Sequence, residues 1–255
     1  MIVCKSPSEI EKMRAANALV ADVLAELAAV VKPGVTTLEL DALAERLVRE
    51  QGAEPAFKGY RGYPATLCAS INEQVVHGIP SGRQLVKGDI LSLDMGVKLN
   101  GFYGDSAVTV PVGQIAEDAR RLLRITQEAL ERGITQVRIG NRVSDIGHAI
   151  QQHVESHGFS VVREFVGHGI GVSLHEEPQI ANYGEPGRGP RLAEGMVLAI
   201  EPMVNMGRPA VKVLSDGWTA VTRDGSLSAH FEHTVAVTKR GPLILTMRTS
   251  PVAAS

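Results

Sequence analysis

A chain of 255 residues with 44% hydrophobic and 21% charged residues can bury a substantial core, as one large domain or two fused halves. Its formal net charge of -2 offers no basic field for nucleic acid and no polybasic membrane signal. No apolar stretch reaches the roughly 18 residues that span a bilayer, Met1–Pro7 lacks a signal-peptide core, and two cysteines, Cys4 and Cys68, make no disulfide framework. These features lead us to expect a cytoplasmic protein.

In chain order, Ser6-Pro7-Ser8 predicts the start of a first helix, with serine as N-cap and proline tolerated in the first turn. Ile10, Met13, Leu19, Val20, Val23, Leu24 and Leu27 follow helical spacing, and Pro33-Gly34 ends the segment. A second helix starts at Thr36, where Thr36 and Glu39 have capping-box spacing, and stops at Gly52. Strand-like segments follow over about 66–76 and 89–112. The second half repeats this plan, with helices over about 116–136 and 144–154 and strands around 160–165, 196–204 and 229–237. The shorter helices lie between equally spaced glycines, Gly34 to Gly52 and Gly140 to Gly158. On that alignment Leu40, Ala44 and Val48 match Ile146, Ile150 and Val154. A helix-helix-strands unit used twice, over about 6–113 and 114–250, implies an α+β fold with helices packed on largely antiparallel strands. No linker divides the chain, and a single catalytic domain over 1–255 is expected.

Within this plan Asp94, Asp105, His168, Glu201 and Glu232 stand in apolar or Gly-rich runs. Glu201 is the sharpest case, lying inside Met196-Val197-Leu198-Ala199-Ile200-Glu201-Pro202-Met203-Val204. A carboxylate buried in such a run is costly unless a cation or donor compensates it. Four carboxylates would be balanced by two divalent cations, so the pattern points to a dinuclear metalloenzyme. Asn100-Gly101 is a hairpin signal. With those two residues as the turn, Lys98 faces Tyr103, Gly96 faces Asp105 and Asp94 faces Ala107. Asp94 and Asp105 then emerge on one face as diagonal neighbours, about 7–8 Å apart, close enough to clamp paired metals. His168 lies in the Gly-rich string Gly167-His168-Gly169-Ile170-Gly171, and Glu232 in a strand pattern where it shares a face with Thr234 and Ala236. No P-loop, dinucleotide fingerprint, H-E-x-x-H helix or G-x-S-x-G elbow is present.

Six strings extend the pattern: Asn72-Glu73-Gln74-Val75-Val76-His77-Gly78-Ile79-Pro80; Leu93-Asp94-Met95-Gly96 with Gly104-Asp105-Ser106; Gly167-His168-Gly169-Ile170-Gly171; His175-Glu176-Glu177-Pro178; Ile200-Glu201-Pro202; and Phe231-Glu232-His233-Thr234. Together they closely resemble the methionine aminopeptidases over about residues 5–246. That resemblance implies the pita-bread fold, two pseudo-symmetric halves of helices on a curved sheet around a dimetal site. The short spacing from His168 to Glu201, without an inserted subdomain, and the absence of an N-terminal extension resemble the minimal bacterial type I enzymes. The resemblance also implies that Asp94 and Asp105 bind one metal, and that Asp105, His168, Glu201 and Glu232 bind the other. Metal-activated water would attack the scissile carbonyl, with Glu201 also a proton shuttle, His175 a donor to the substrate and His77 a contact to its backbone. Tyr60, Tyr63, Cys68 and Trp218 resemble the methionine-side-chain pocket, joined by Leu174 where many members have phenylalanine. The oxygen-rich donor set suits iron(II), manganese(II) or cobalt(II). A monovalent cation near Asn72, Gln74 and Ser228 is implied too.

The expected substrates are the N-termini of nascent polypeptides with a small second residue, met near the ribosome by a monomeric enzyme. Two other readings remain. One is an X-Pro aminopeptidase or prolidase-like peptidase, although those enzymes usually carry a large extra N-terminal domain. The other is a non-catalytic pita-bread module that binds peptides, although such relatives have lost metal ligands.

Overall fold

Reciprocal bonds set both helix starts in the first half. The Ser6 Oγ accepts the Glu9 N–H, and the Glu9 carboxylate accepts the Ser6 N–H at 2.7 Å, opening α1 (Pro7–Val30). Thr36 and Glu39 repeat the arrangement at the start of α2 (Thr37–Glu50). The computed structural model describes residues 1–248. Residues 249 and 250, at the end of the expected second repeat, lie outside the described residues.

Three short strands follow α2: β1 (Glu54–Pro55), β2 (Cys68–Ile71) and β3 (Gln74–Val76). The long hairpin of β4 (Ile90–Leu99) and β5 (Phe102–Pro111) closes the first half. Its register pairs Lys98 with Tyr103, Gly96 with Asp105 and Asp94 with Ala107, as the Asn100-Gly101 turn requires. Both turn residues have positive φ, 52° and 82°.

The second half opens with α3 (Glu117–Thr135) and α4 (Val143–Ser156). Next come β6 (Ser160–Val161), β7 (Gly167–Gly169), β8 (Glu176–Ile180), β9 (Val197–Ile200) and β10 (Met203–Asn205). The chain then forms β11 (Val211–Val213), β12 (Ala220–Thr222), β13 (Ser228–His230), β14 (His233–Thr238) and β15 (Gly241–Ile244). Every pairing between these strands is antiparallel. In the first half β4 pairs β5 on one side and both β1 and β2 on the other; in the second, five strands run in the order β15-β14-β9-β7-β8.

Two large apolar clusters correspond to the halves. Leu27, Leu40, Val48, Leu91, Leu93 and Met95 belong to the first, and Leu122, Ile125, Ile146, Ile150, Leu198 and Val235 to the second. The six positions matched between the short helices, Leu40, Ala44, Val48, Ile146, Ile150 and Val154, are all buried. Each helix pair therefore presses the same stripe against its own strands.

The structure departs from the sequence expectations in the second half. The expected strand over 160–165 shortens to Ser160–Val161. The one over 196–204 breaks at Glu201-Pro202, because proline has no N–H for the ladder. The one over 229–237 breaks at Phe231-Glu232, where the Glu232 N–H leaves its own sheet and bonds the Ala107 carbonyl at 2.9 Å. Glu232 thus stands between strands, outside the alternation expected with Thr234 and Ala236. His168, in its Gly-rich string, sits in β7. A Cβ at Gly167 would meet the Ala199 carbonyl and one at Gly169 the Glu177 carbonyl, so glycine is what lets β7 slot between its neighbours.

Candidate metal centre

The seam between the halves places all five expected ligands around one cavity of about 140 Å³. Asp94 and Asp105 come from β4 and β5, His168 from β7, and Glu201 and Glu232 from the two strand breaks. Side-chain atoms of Asp105, His168 and Glu232 lie within 4.8 Å of one another, all three residues being buried. Glu201 Oε1 is 3.5 Å and Asp105 Oδ2 3.9 Å from His168 Nε2.

Whether these groups suit cations is decided by their hydrogen bonds. The His168 Nδ1–H donates to the Gly169 carbonyl at 2.9 Å, so the Nε2 lone pair is turned toward the carboxylates. An acceptor facing acceptors needs something positive between them. Asp94 Oδ1, Asp105 Oδ1 and Glu232 Oε1 are likewise buried with no hydrogen-bond partner. In the absence of cations, burial and then the neighbouring charges push Asp105 and Glu232 well above the usual carboxylate range, and burial then the Asp94 charge does so for Glu201. Burial pushes Asp94 up to about 7. His168 is lowered to about 3, by burial and then by the His175 charge. Such a set would be relieved by two divalent cations, and its chemistry is oxygen-rich and hard.

The remaining expected residues line the same cavity: Tyr60, Tyr63, Cys68, His77, Leu174, His175 and Trp218. The Tyr63 and Trp218 rings meet edge to face at 5.1 Å. The Tyr63 hydroxyl lies 3.0 Å from the Leu67 carbonyl and 3.1 Å from that of Gly78, and burial raises its pKa. Cys68 pairs in register with Asp94; burial and then the Asp94 charge hold its thiol protonated. Leu174 is 2% exposed. His175 stacks on Tyr60 with Nδ1 2.9 Å from the hydroxyl, and its pKa is lowered by burial and then Arg61. His77 meets Phe165 edge to face and is lowered to about 4 by burial, then by the His175 charge.

Asn72 and Ser228 are brought together through the Ser228 N–H, which donates to the Asn72 carbonyl at 2.9 Å, while the Gln74 side chain accepts the Ile71 N–H.

Sequence reasoning missed four residues. Phe57 and Arg61 line the cavity, and Phe165 packs on His77. His230 is fully buried with both ring nitrogens unpartnered, its Nε2 3.9 Å from Glu201 Oε2. The string Gly59-Tyr60-Arg61-Gly62-Tyr63 carried a usable signal, since two tyrosines, each directly after a glycine, already marked that turn.

A buried, acid-rich cluster completed by one imidazole, set in a two-part antiparallel fold, is the kind of donor set that suits a metal-dependent hydrolase. Residues 11–239 match the metallopeptidase family M24, and the chain belongs to that family. It is 56% identical over 246 residues to methionine aminopeptidase 1 of Bacillus subtilis, covering 96% of this chain and 99% of that one. It superimposes with a TM-score of 0.96 on the crystal structure of methionine aminopeptidase from Thermotoga maritima, at 50% identity, over 97% of this chain and all of the other. The prolidase of Pyrococcus horikoshii matches with a TM-score of 0.77 at 24% identity over 65% of its length, a likeness of fold alone. The architecture is the pita-bread fold of these enzymes.

Proposed function

We infer that the chain is an aminopeptidase that removes the initiator methionine from new polypeptides, preferring a small second residue. The observation that supports this most is one cavity with two kinds of lining: a buried cluster of cation-seeking ligands beside an apolar wall of Tyr63, Cys68, Leu174 and Trp218. Soft sulfur against aromatic edges and a thiol suits a methionine side chain.

Asp94, Asp105, His168, Glu201 and Glu232 would hold two divalent ions, iron(II), manganese(II) or cobalt(II). Such ions supply Lewis-acid polarisation of a carbonyl and activation of water. The protein's own groups do the rest. Glu201 passes a proton from the attacking water to the leaving amine. With the Tyr60 hydroxyl donating to Nδ1, His175 keeps Nε2–H to donate to the substrate peptide. His77, held neutral beside Phe165, contacts the substrate backbone. The chain acts as a single catalytic domain and monomer in the cytoplasm, on N-termini emerging near the ribosome. Backbone oxygens near Asn72, Gln74 and Ser228 would hold a monovalent cation.

The test is release of free amino acid from Met-Ala-Ser and Arg-Pro-Pro by metal-stripped protein, with each metal added back. Metal-dependent cleavage of Met-Ala-Ser alone, lost in Glu201→Gln, is expected. Cleavage of Arg-Pro-Pro, or silence with every metal, would overturn the reading.

A further inference from the structure

The cavity is graded in charge. Its buried residues include Asp94, Asp105 and Glu232, whereas Arg61 on its wall is exposed to solvent. Arg61 is the one permanent cation in the lining. Its backbone is strained, with φ 50° and ψ 23° in the left-handed region that a residue with a side chain rarely adopts. Strain of this kind is kept where the surroundings over-determine it, often beside a functional site. The guanidinium lies over the Tyr60 ring at 5.3 Å and makes no ion pair among the described residues. The arginine is thus presented at the rim with its charge unspent.

This inference rests on the functional reading above. If the first residue of the substrate occupies the closed, apolar end, the residues beyond the scissile bond must leave past the exposed rim. We propose that Arg61 is a specificity-determining residue that favours methionyl polypeptides with an acidic side chain shortly after the second residue. The ligand chemistry is an aspartate or glutamate carboxylate at the third or fourth position, taken by the planar fork of the guanidinium. Because the pair forms at an exposed rim, its effect is modest, about two- to five-fold, and screened by salt.

The experiment compares Met-Ala-Asp-Asp, Met-Ala-Ala-Ala and Met-Ala-Lys-Lys, all as C-terminal amides, on the manganese-loaded enzyme. The readouts are KM and, separately, peptide affinity from the emission of Trp218, the single tryptophan, which lines the cavity. We expect the acidic peptide to bind about two- to five-fold more tightly than the basic one at low salt. That ratio should vanish in Arg61→Ala, invert in Arg61→Glu, weaken without vanishing in Arg61→Lys, which keeps the charge but not the fork, and shrink toward one near 1 M salt. An acidic-to-basic ratio that is the same in wild type and Arg61→Glu overturns the proposal, even where Met-Ala-Ala-Ala is cleaved normally. Failure of the wild type to cleave Met-Ala-Ala-Ala would instead count against the aminopeptidase reading, and the emission titration would still decide the charge preference.

Discussion

Lys5 is the one buried lysine among the described residues, and it ties the segment before α1 to the loop that carries His175. Its Nζ donates to Glu176 Oε2 at 2.5 Å and to the Val3 carbonyl at 3.1 Å, and its own N–H bonds the Gly195 carbonyl at 2.7 Å. Glu176 Oε1 accepts the Ser173 N–H at 3.1 Å. The two side chains are only 4% and 12% exposed. Lys5→Met removes the cation and leaves the carboxylate buried with a single backbone donor. Breaking a buried pair in this way costs about 3–5 kcal/mol. We expect the lower end, about 3 kcal/mol, because Glu176 keeps the Ser173 N–H and some solvent access. Leu174 and His175 lie between the two anchors of this loop, the Gly171 carbonyl bonded by the Tyr103 N–H at one side and Glu176 at the other. Loosening the second anchor should therefore lower kcat/KM as well, by roughly ten-fold if the donor of His175 is displaced by about 1 Å.

Urea unfolding with unchanged slope would read the first effect, and peptide cleavage the second. The double variant Lys5→Met with Glu176→Leu removes both charges and should recover most of the stability, since an apolar pair can replace a buried ionic one. A single variant within 1 kcal/mol of wild type would refute the reasoning. So would a double variant whose loss equals the sum of its two single losses, because groups in contact should not be additive.

Two further outcomes follow from the site. Gly104→Ala should lower stability by about 1–3 kcal/mol and weaken metal retention: its Cβ would lie 2.8 Å from the Ala16 and Asn17 backbone of α1, and the next residue, Asp105, donates its N–H to Asn17 Oδ1. An unaltered unfolding midpoint with and without chelator would show that α1 can yield there. The metal-stripped protein should lose stability as pH rises from about 6.5 to 8. The buried carboxylates have folded pKa values raised above the unfolded range, Asp94 to about 7, so their contribution is full below about 4 and is lost as pH climbs through the folded value. The lowered histidines His77, His168 and His230 act the other way only below the ordinary imidazole range, so they do not cancel the slope in this window. Manganese should abolish the slope and release protons on binding, read by calorimetry in two buffers; a flat profile in stripped protein would sink the idea.

What could be read from the sequence was local. The N-cap at Ser6, the capping box at Thr36 and the register around Asn100-Gly101 depend on residues within a few positions, and the structure reproduces them. The stripe Leu40-Ala44-Val48 and its counterpart Ile146-Ile150-Val154 is equally local, since helical periodicity writes it directly. The break at Glu201 could have been read from Pro202, whereas the break at Glu232 was hidden because its cause lies far away. Ser106 Oγ reaches the Glu232 carbonyl across 126 positions of sequence, and no pattern around Glu232 announces that partner. His230 was missed for the same reason: in its own run it reads as one more inward strand residue, and only tertiary pairing sets it beside Glu201. Arg61 was passed over because exposed arginines are common, and the left-handed backbone that singles it out depends on the packed turn.

Two of the five candidate ligands, Glu201 and Glu232, occupy these breaks for a physical reason. Inside a regular ladder, alternation would send successive carboxylates to opposite faces, and each ladder would hold its own spacing. At the seam the strands of one half end against β5 of the other, and hydroxyls take over the bonding. Thr234 Oγ1 donates to the Asp105 carbonyl at 2.8 Å, Ser106 Oγ to that of Glu232 at 2.6 Å, and Thr109 Oγ1 to that of His230 at 2.8 Å. These bonds seize the backbone of the candidate ligands themselves and come from both sides of the seam. The positions of Asp105 and Glu232 are then set by protein contacts that owe nothing to a cation, while their side chains repel one another and lack donors. A site built this way is preorganised: the repulsion is held in place by the fold, and cation binding releases it without requiring the halves to move.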